Sequence, residues 1–352
     1  MKFLTAFLLI GFGFQVWAQD NFPVKIRDFS DQYEAVIDLN EEDTIVSGRY
    51  DDYVPEYVIQ IFDKSNQKML LKAYTADFPT YLLDEKNEAV PNIKELPYGS
   101  QSVLLYEDYN FDGIKDFALM NGYESCYGGP SFDIYLAVES GFEHSEAFSI
   151  LSNEYCGMFD VDNETQTIHT MTKSGCCWHQ FSEFKVIDNE PKPVKITERS
   201  YLSYNNFIEV TEITYNNGKE KSTTNLYFPF EEMMSKVIVY FELEKNGKSV
   251  VLYEIDGILY YAFLQKDDLV EFYFPQPDGY ETEWDFNYHQ DEETLTFSNE
   301  EAQYQIYETD DSVGIKVTTN GKTYDMRGVK STAIGSLKNM KLIKLTNILI
   351  QN

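Results

Sequence analysis

The sequence predicts an all-β protein built from antiparallel sheets, and three observations carry that reading. Aromatic residues make up 16 % of the chain, with 27 Tyr and 25 Phe. Such side chains, with the β-branched ones, fit a pleated and half-buried surface. Short apolar runs are punctuated by Asn-Gly and Asp-Gly pairs at positions 217–218, 246–247, 256–257 and 320–321, the strongest short-range hairpin signal. No stretch carries the sustained 3.6-residue periodicity of a long amphipathic helix.

Taken in order, the chain opens with Met1-Lys2, an apolar run through Leu8-Leu9-Ile10, and small residues ahead of Gln19. This pattern reads as a cleaved secretory signal over residues 1–18, cut after Ala18. The run is shorter than the roughly 20 apolar residues a spanning helix needs, and no cysteine follows it to take a lipid. The expected location is periplasmic or secreted, without a membrane span. Length suggests two domains at roughly 150 residues each, here 19–229 and 230–352.

Strand-like runs follow at Val24–Ile26 and Glu34–Asp38, with an acidic loop at Glu41-Glu42-Asp43. Tyr57–Phe62 and Lys68–Lys72 flank five polar residues and read as a hairpin. Val103–Tyr106, Phe132–Val138, Met158–Val161, Thr167–Met171 and Phe181–Ile187 continue the series. Val210–Tyr215 and Thr223–Phe228 enclose Asn217-Gly218 as another hairpin. The pattern pauses over Pro229–Ser235 and resumes as a meander or barrel region: Val237–Leu243, Val250–Ile255, Ile258–Leu264, Thr294–Phe297, Tyr304–Tyr307, Gly314–Thr318 and Thr323–Met326. The tail, Ile334–Ile350, is expected to close a sheet or form a short helix.

Composition narrows the partners. The chain carries 28 Lys+Arg against 59 Asp+Glu, a net charge of −31. That excludes nucleic acid and anionic membrane as main partners and favours cationic ones.

The stretch with the sharpest chemistry is Asp108-Tyr109-Asn110-Phe111-Asp112-Gly113-Ile114-Lys115-Asp116. Oxygen-bearing side chains alternate, and a glycine follows the third. This is the pattern of a loop that wraps Ca²⁺ with six to eight oxygens. The expected ligands are the side chains of Asp108, Asn110, Asp112 and Asp116 and the carbonyl of Ile114. Leu119 stands where a helix–loop–helix site has its bidentate glutamate, and Phe117-Ala118-Leu119-Met120 is an apolar, strand-like run. The loop is therefore expected within β structure; without metal, such residues simply make a polar turn.

Four cysteines, Cys126, Cys156, Cys176 and Cys177, argue for two disulfides in an exported chain. A bond between neighbours would close a strained ring, so Cys176 and Cys177 are each expected to pair with Cys126 or Cys156. Adjacent cysteines are also poorly spaced for one zinc centre with His179. His144, His169, His179 and His289 sit in no nucleophile or metalloprotease motif, and no carboxylate pair stands out among 59 acids. The expectation is a non-enzyme.

Together Asp108-x-Asn110-Phe111-Asp112-Gly113-x-x-Asp116, Gly128-Gly129-Pro130-Ser131-Phe132-Asp133-Ile134-Tyr135-Leu136 and Ser174-Gly175-Cys176-Cys177-Trp178-His179 resemble a family of exported bacterial proteins. Its characterised branch holds periplasmic immunity proteins that inhibit lysozyme-like peptidoglycan hydrolases. The resemblance covers residues 55–200; the double cysteine departs from that branch. It implies a propeller-like, calcium-binding β domain, with Ca²⁺ at Asp108, Asn110, Asp112, Ile114 and Asp116. It also implies a cationic lysozyme-like hydrolase as partner, and a Ser-Gly loop at Ser174, Gly175, Trp178 and His179 that meets it. The other class of function is an exported glycan- or protein-binding scaffold with a structural calcium.

Overall fold

The computed structural model describes residues 22–41, 56–75, 78, 83–94, 102–216, 218–276 and 285–351. The expected leader at 1–18, Glu42 and Asp43 of the acidic loop, and Asn217 lie outside the described residues. The all-β expectation holds, with the strands of the described residues arranged in five sheets. The chain divides into two compact units, Met1–Thr170 with Val186–Pro191, and Met171–Lys185 with Lys192–Asn352. The expected boundary at 230 does not coincide with that division; a short helical turn lies there instead.

The first sheet is an antiparallel meander of β1 (Val24–Ile26), β2 (Tyr33–Leu39), β3 (Tyr57–Asp63) and β4 (Met69–Thr75). Alternation explains its inner face: Ala35, Ile37, Ile59 and Ile61 are fully buried, one residue in two along each strand.

The second sheet holds β5 (Leu104–Glu107), β6 (Asp116–Ser125), β7 (Gly129–Val138) and β8 (Gly141–His144). β6 is buried on both faces from Asp116 to Gly122, which accounts for its unbroken apolar run. The longest helix among the described residues, α1 (Glu146–Asn153), packs on β7. Two of its serines bond that strand, Ser149 Oγ accepting from Ile134 N–H and Ser152 Oγ from Phe132 N–H, both at 2.9 Å. At eight residues, α1 is too short to leave a clear periodic signature.

The third sheet runs in chain order through β9 (Asp160–Asp162), β10 (Thr167–Ser174), β11 (Trp178–Ile187), β12 (Glu190–Leu202), β13 (Phe207–Asn216) and β14 (Lys219–Tyr227). β12 has 13 residues yet escaped the sequence reading, because Pro191 and Pro193 argue against a strand. A short helical turn, α2 (Phe230–Met233), leads on.

The fourth sheet is β15 (Val237–Glu242), β16 (Ser249–Ile255), β17 (Ile258–Leu264) and β18 (Val270–Phe274). The fifth holds β19 (Phe286–His289), β20 (Thr294–Asn299), β21 (Ala302–Glu308), β22 (Val313–Thr319) and β23 (Lys322–Gly328). The tail then splits between them. β24 (Ile334–Gly335) pairs with β15, and β25 (Ile348–Gln351) pairs in parallel with β19. The meander is present, but the expected barrel is not: the returning tail adds an outer strand to each sheet rather than joining first strand to last.

A core fills the space between these two sheets, with Phe241, Leu259, Phe286, Leu295, Ile306 and Ile315 fully buried. Asn347 locks the tail onto it. Its Oδ1 accepts from Leu259 N–H at 2.8 Å, and its Nδ2 donates to Leu259 O and Asp285 Oδ2, both at 3.0 Å.

Candidate functional site

The loop from Asp108 to Asp116 joins β5 to β6 and is closed by its own side chains. Asp108 Oδ2 accepts from Gly113 N–H at 2.9 Å and Oδ1 from Asp112 N–H at 3.2 Å. Asp112 Oδ1 accepts from Ile114 N–H at 2.7 Å. Asn110 Nδ2 donates to Asp112 Oδ2 at 3.1 Å and, across the chain, to Asn189 Oδ1 at 2.9 Å. Such short side chains fold back on nearby amides and so favour turns. Gly113 has φ +89°, a conformation that costs glycine nothing and a Cβ-bearing residue a good deal.

Asp116 differs from the rest of the loop. It is fully buried. Its Oδ2 accepts from Tyr109 N–H and its Oδ1 from Ala137 N–H, each at 2.8 Å, so one carboxyl ties the loop's start to β7. Burial pushes this carboxyl up to about 6, against the pull of those two amides, and the nearby Asp112 and Asp108 add to the rise. Tyr109 is buried beside it, edge-on to Phe159 with centroids 5.3 Å apart.

The predicted ligand residues thus lie in one turn, with exposed Asp112 and Ile114 at its outer end and buried Asp116 at its root. The all-oxygen donor set has the chemistry Ca²⁺ requires. Among the described residues, no three His, Cys, Asp or Glu side chains converge as a metal cage; the oxygens instead accept amides of the loop. The contributions of Tyr109, Ala137 and Asn189 were not foreseen. Only Asn189 left a signal, as part of the Asp188-Asn189 turn.

The disulfide expectation is corrected: Cys126 bonds Cys156, and Cys176 bonds its neighbour Cys177. The fold explains the first pair. Cys126, in the turn between β6 and β7, donates its N–H to Tyr155 O at 3.1 Å, which brings the Cα atoms of Cys126 and Cys156 to 4.7 Å. Cys176 and Cys177 sit instead in the turn between β10 and β11, where the hairpin puts them side by side. No free cysteine remains among the described residues.

That hairpin tip contains the predicted partner loop. Ser174, Gly175 and Cys176 are exposed, and Trp178 and His179 half-buried. Gly175 turns the chain at φ +61°. Cys177 O accepts from Tyr201 N–H at 2.9 Å, fastening the tip to β12. Phe181 and Tyr201 stand nearby, 46 % and 43 % exposed. With the paired cysteines, His179, Arg199 and Ile208, they line a shallow cavity of about 340 Å³.

Among the described residues His144 lies beside a serine and an aspartate, in a geometry that does not make a catalytic relay. His144 Nε2 lies 3.0 Å from Ser149 Oγ and 3.7 Å from Asp133 Oδ1. A relay needs the carboxylate on the other ring nitrogen. The Ser149 hydroxyl, 1 % exposed, donates to Ser145 O at 2.8 Å.

No family model matches the chain, and no curated protein matches it. Solved structures offer distant likenesses. A Xanthomonas type IV secretion system related protein shares 17 % identity at TM-score 0.44, covering 58 % of this chain and 96 % of its own. TolB from Acinetobacter baumannii shares 9 % identity at TM-score 0.20, covering 79 % of this chain and 61 % of its own. The family resemblance therefore rests on the motifs alone.

Proposed function

We propose that the chain is a non-enzymatic exported protein that binds and inhibits a cationic, lysozyme-like peptidoglycan hydrolase, meeting it with the hairpin tip at Ser174–His179. The observation that carries this reading is the tip itself: exposed Ser174 and Gly175 lead into a paired-cysteine turn flanked by Trp178, His179 and the exposed Phe181. Interfaces draw on such aromatic anchors on a stiff base. A net charge of −31 would speed encounter with a cationic partner and make it salt-sensitive.

In this reading Asp108, Asn110, Asp112, Asp116 and the Ile114 carbonyl hold one Ca²⁺, which neutralises the crowded carboxylates and braces the scaffold. The chain's own part is to orient these oxygens through Gly113 and the amide bonds of the turn.

The test is inhibition and co-elution with a panel of lysozymes and envelope hydrolases at low and high salt. Trp178→Ala is expected to weaken the complex about tenfold or more, the loss typical of an interface anchor. An absence of binding across the panel at low salt would sink the proposal. For calcium, calorimetry is expected to find one site and a rise in melting temperature by linkage, both lost in Asp112→Ala. If the wild type melts alike in calcium and in chelator, the loop is a turn only.

A further inference from the structure

Within the second unit, the fourth and fifth sheets present β18 and β23 as outer strands, and between them opens a cavity of about 1090 Å³. Its lining mixes aromatic residues, among them Tyr261, Phe272, Tyr304 and Tyr324, with charged and polar ones. The rings of Phe272 and Tyr304 lie parallel within 12°, centroids 5.5 Å apart, and Tyr304 stacks in turn on Phe297 at 4.6 Å. Tyr324 stands on the β23 side, 54 % exposed. Asp325 is held in place by the Tyr307 hydroxyl, which donates to its Oδ1 at 2.9 Å.

The charges of this cavity differ from those of the chain. In the lining Glu244 is matched by Lys245 and, on β23, Asp325 by Arg327; Glu271 pairs with Lys248, which lies outside the lining. The groove is thus close to neutral in a protein of net charge −31. We propose that it binds a neutral oligosaccharide.

Each feature bears on that choice. Phe272, Tyr304 and Phe297 stack on one another and form the aromatic wall, while the exposed Tyr324 ring offers a face of negative quadrupole density, to which the C–H face of a sugar ring is complementary through weak C–H contacts. The carboxylates of Glu244 and Glu271, the Lys245 ammonium and the Asn246 amide match hydroxyls, which both donate and accept. A lipid chain would strip water from Glu244, Lys245 and Asn246 without replacing their hydrogen bonds, at a cost. A cationic peptide would be drawn to the acidic surface as a whole, but the near-neutral groove gives it no local charge partner to favour this site over the rest of that surface. The volume lies at the upper end of the roughly 300–1000 Å³ usual for ligand pockets, room for several sugar units rather than one.

Calorimetric titration of the full chain with neutral chito-, cello-, malto-, xylo- and manno-oligosaccharides tests this, with an oligogalacturonate and a lysine-rich peptide as charged controls. One neutral series is expected to bind, more tightly as it lengthens. Tyr324→Ala, at an exposed position, is expected to weaken that binding about tenfold, a stacking contribution of the usual size, without moving the melting temperature. Asn246→Ala gives a second, polar reading of the same lining and is expected to weaken binding too. The proposal is overturned if no neutral series binds at about 10 mM, the weak end of measurable affinity. It is overturned equally if a charged control binds instead, or if both variants bind like the wild type. No hydrolase enters the test, so it stands apart from the inhibitor reading.

Discussion

Replacing Asp116 by alanine isolates what the loop does for the scaffold. The buried carboxyl is the acceptor for Tyr109 N–H and Ala137 N–H, 21 residues apart from the latter in sequence. A buried donor left without a partner costs about 1–3 kcal/mol, so two give about 2–6 kcal/mol. Burial has raised this carboxyl to about 6, meaning that its charge is itself unfavourable near neutrality. Removing it recovers part of the loss and puts the expected effect in the lower half of that range. Asp116→Asn keeps one acceptor and no charge, and is expected to lose less than Asp116→Ala. Asp112 makes its bond to Ile114 at the exposed outer end, so in chelator Asp112→Ala is expected to cost under about 1 kcal/mol, as surface changes do. Denaturant unfolding followed by circular dichroism gives the totals, and native-state hydrogen exchange gives the location. The Tyr109 and Ala137 amides should exchange faster in Asp116→Ala. A loss below about 1 kcal/mol, with both amides still protected, would refute the argument that Asp116 is the loop's structural anchor.

The other expected outcomes are these. Replacing the pair Cys126 and Cys156 by alanine, which opens a loop of sequence separation 30, should cost about 3–4 kcal/mol by loop-closure entropy. The same change at Cys176 and Cys177, separated by 1, closes no loop and should stay within about 0.5 kcal/mol; equal losses would show that chain entropy is not the cause. Asn347→Ala removes three hydrogen bonds, the two to Leu259 buried and the one to Asp285 part-buried, and should cost about 2–4 kcal/mol, read as faster exchange at Leu259. Burial raises the Glu308 carboxyl, but the Leu337 amide, the Ser336 hydroxyl and Lys330 outweigh it and hold it below its ordinary value. Its contribution is therefore present above the unfolded value of about 4.3 and lost as pH falls through the lower folded one. The melting-temperature gap between wild type and Glu308→Gln should narrow as pH drops below about 4; a gap that widens there would contradict the assigned sign.

Local patterns settled a large part of this molecule before any coordinates. Apolar strand-like runs at Glu34–Asp38 and Tyr57–Phe62, the continuous apolar run Phe117–Met120, and turns at 246–247 and 256–257 place strands where the structure has them. These signals are legible because strand faces and tight turns depend on residues a few positions apart. The oxygen-rich loop at Asp108–Asp116 belongs to the same class, since its hydrogen bonds among Asp108, Asn110, Asp112 and Gly113 span two to five residues.

Only the tertiary structure decided the rest, because those features join residues far apart in the chain. Cysteine pairing is set by which turns meet, so Cys126 found Cys156 while the β10–β11 tip left Cys176 to Cys177. The division of the tail between two sheets follows from pairings of β24 with β15 and β25 with β19. Asp116 reads as one ligand among several in sequence, and its role as an anchor appears only when Ala137 is seen beside it. The aromatic groove is the clearest case. Phe272, Tyr304 and Tyr324 lie on three strands, β18, β21 and β23, and no spacing along the chain announces that their rings will line one cavity.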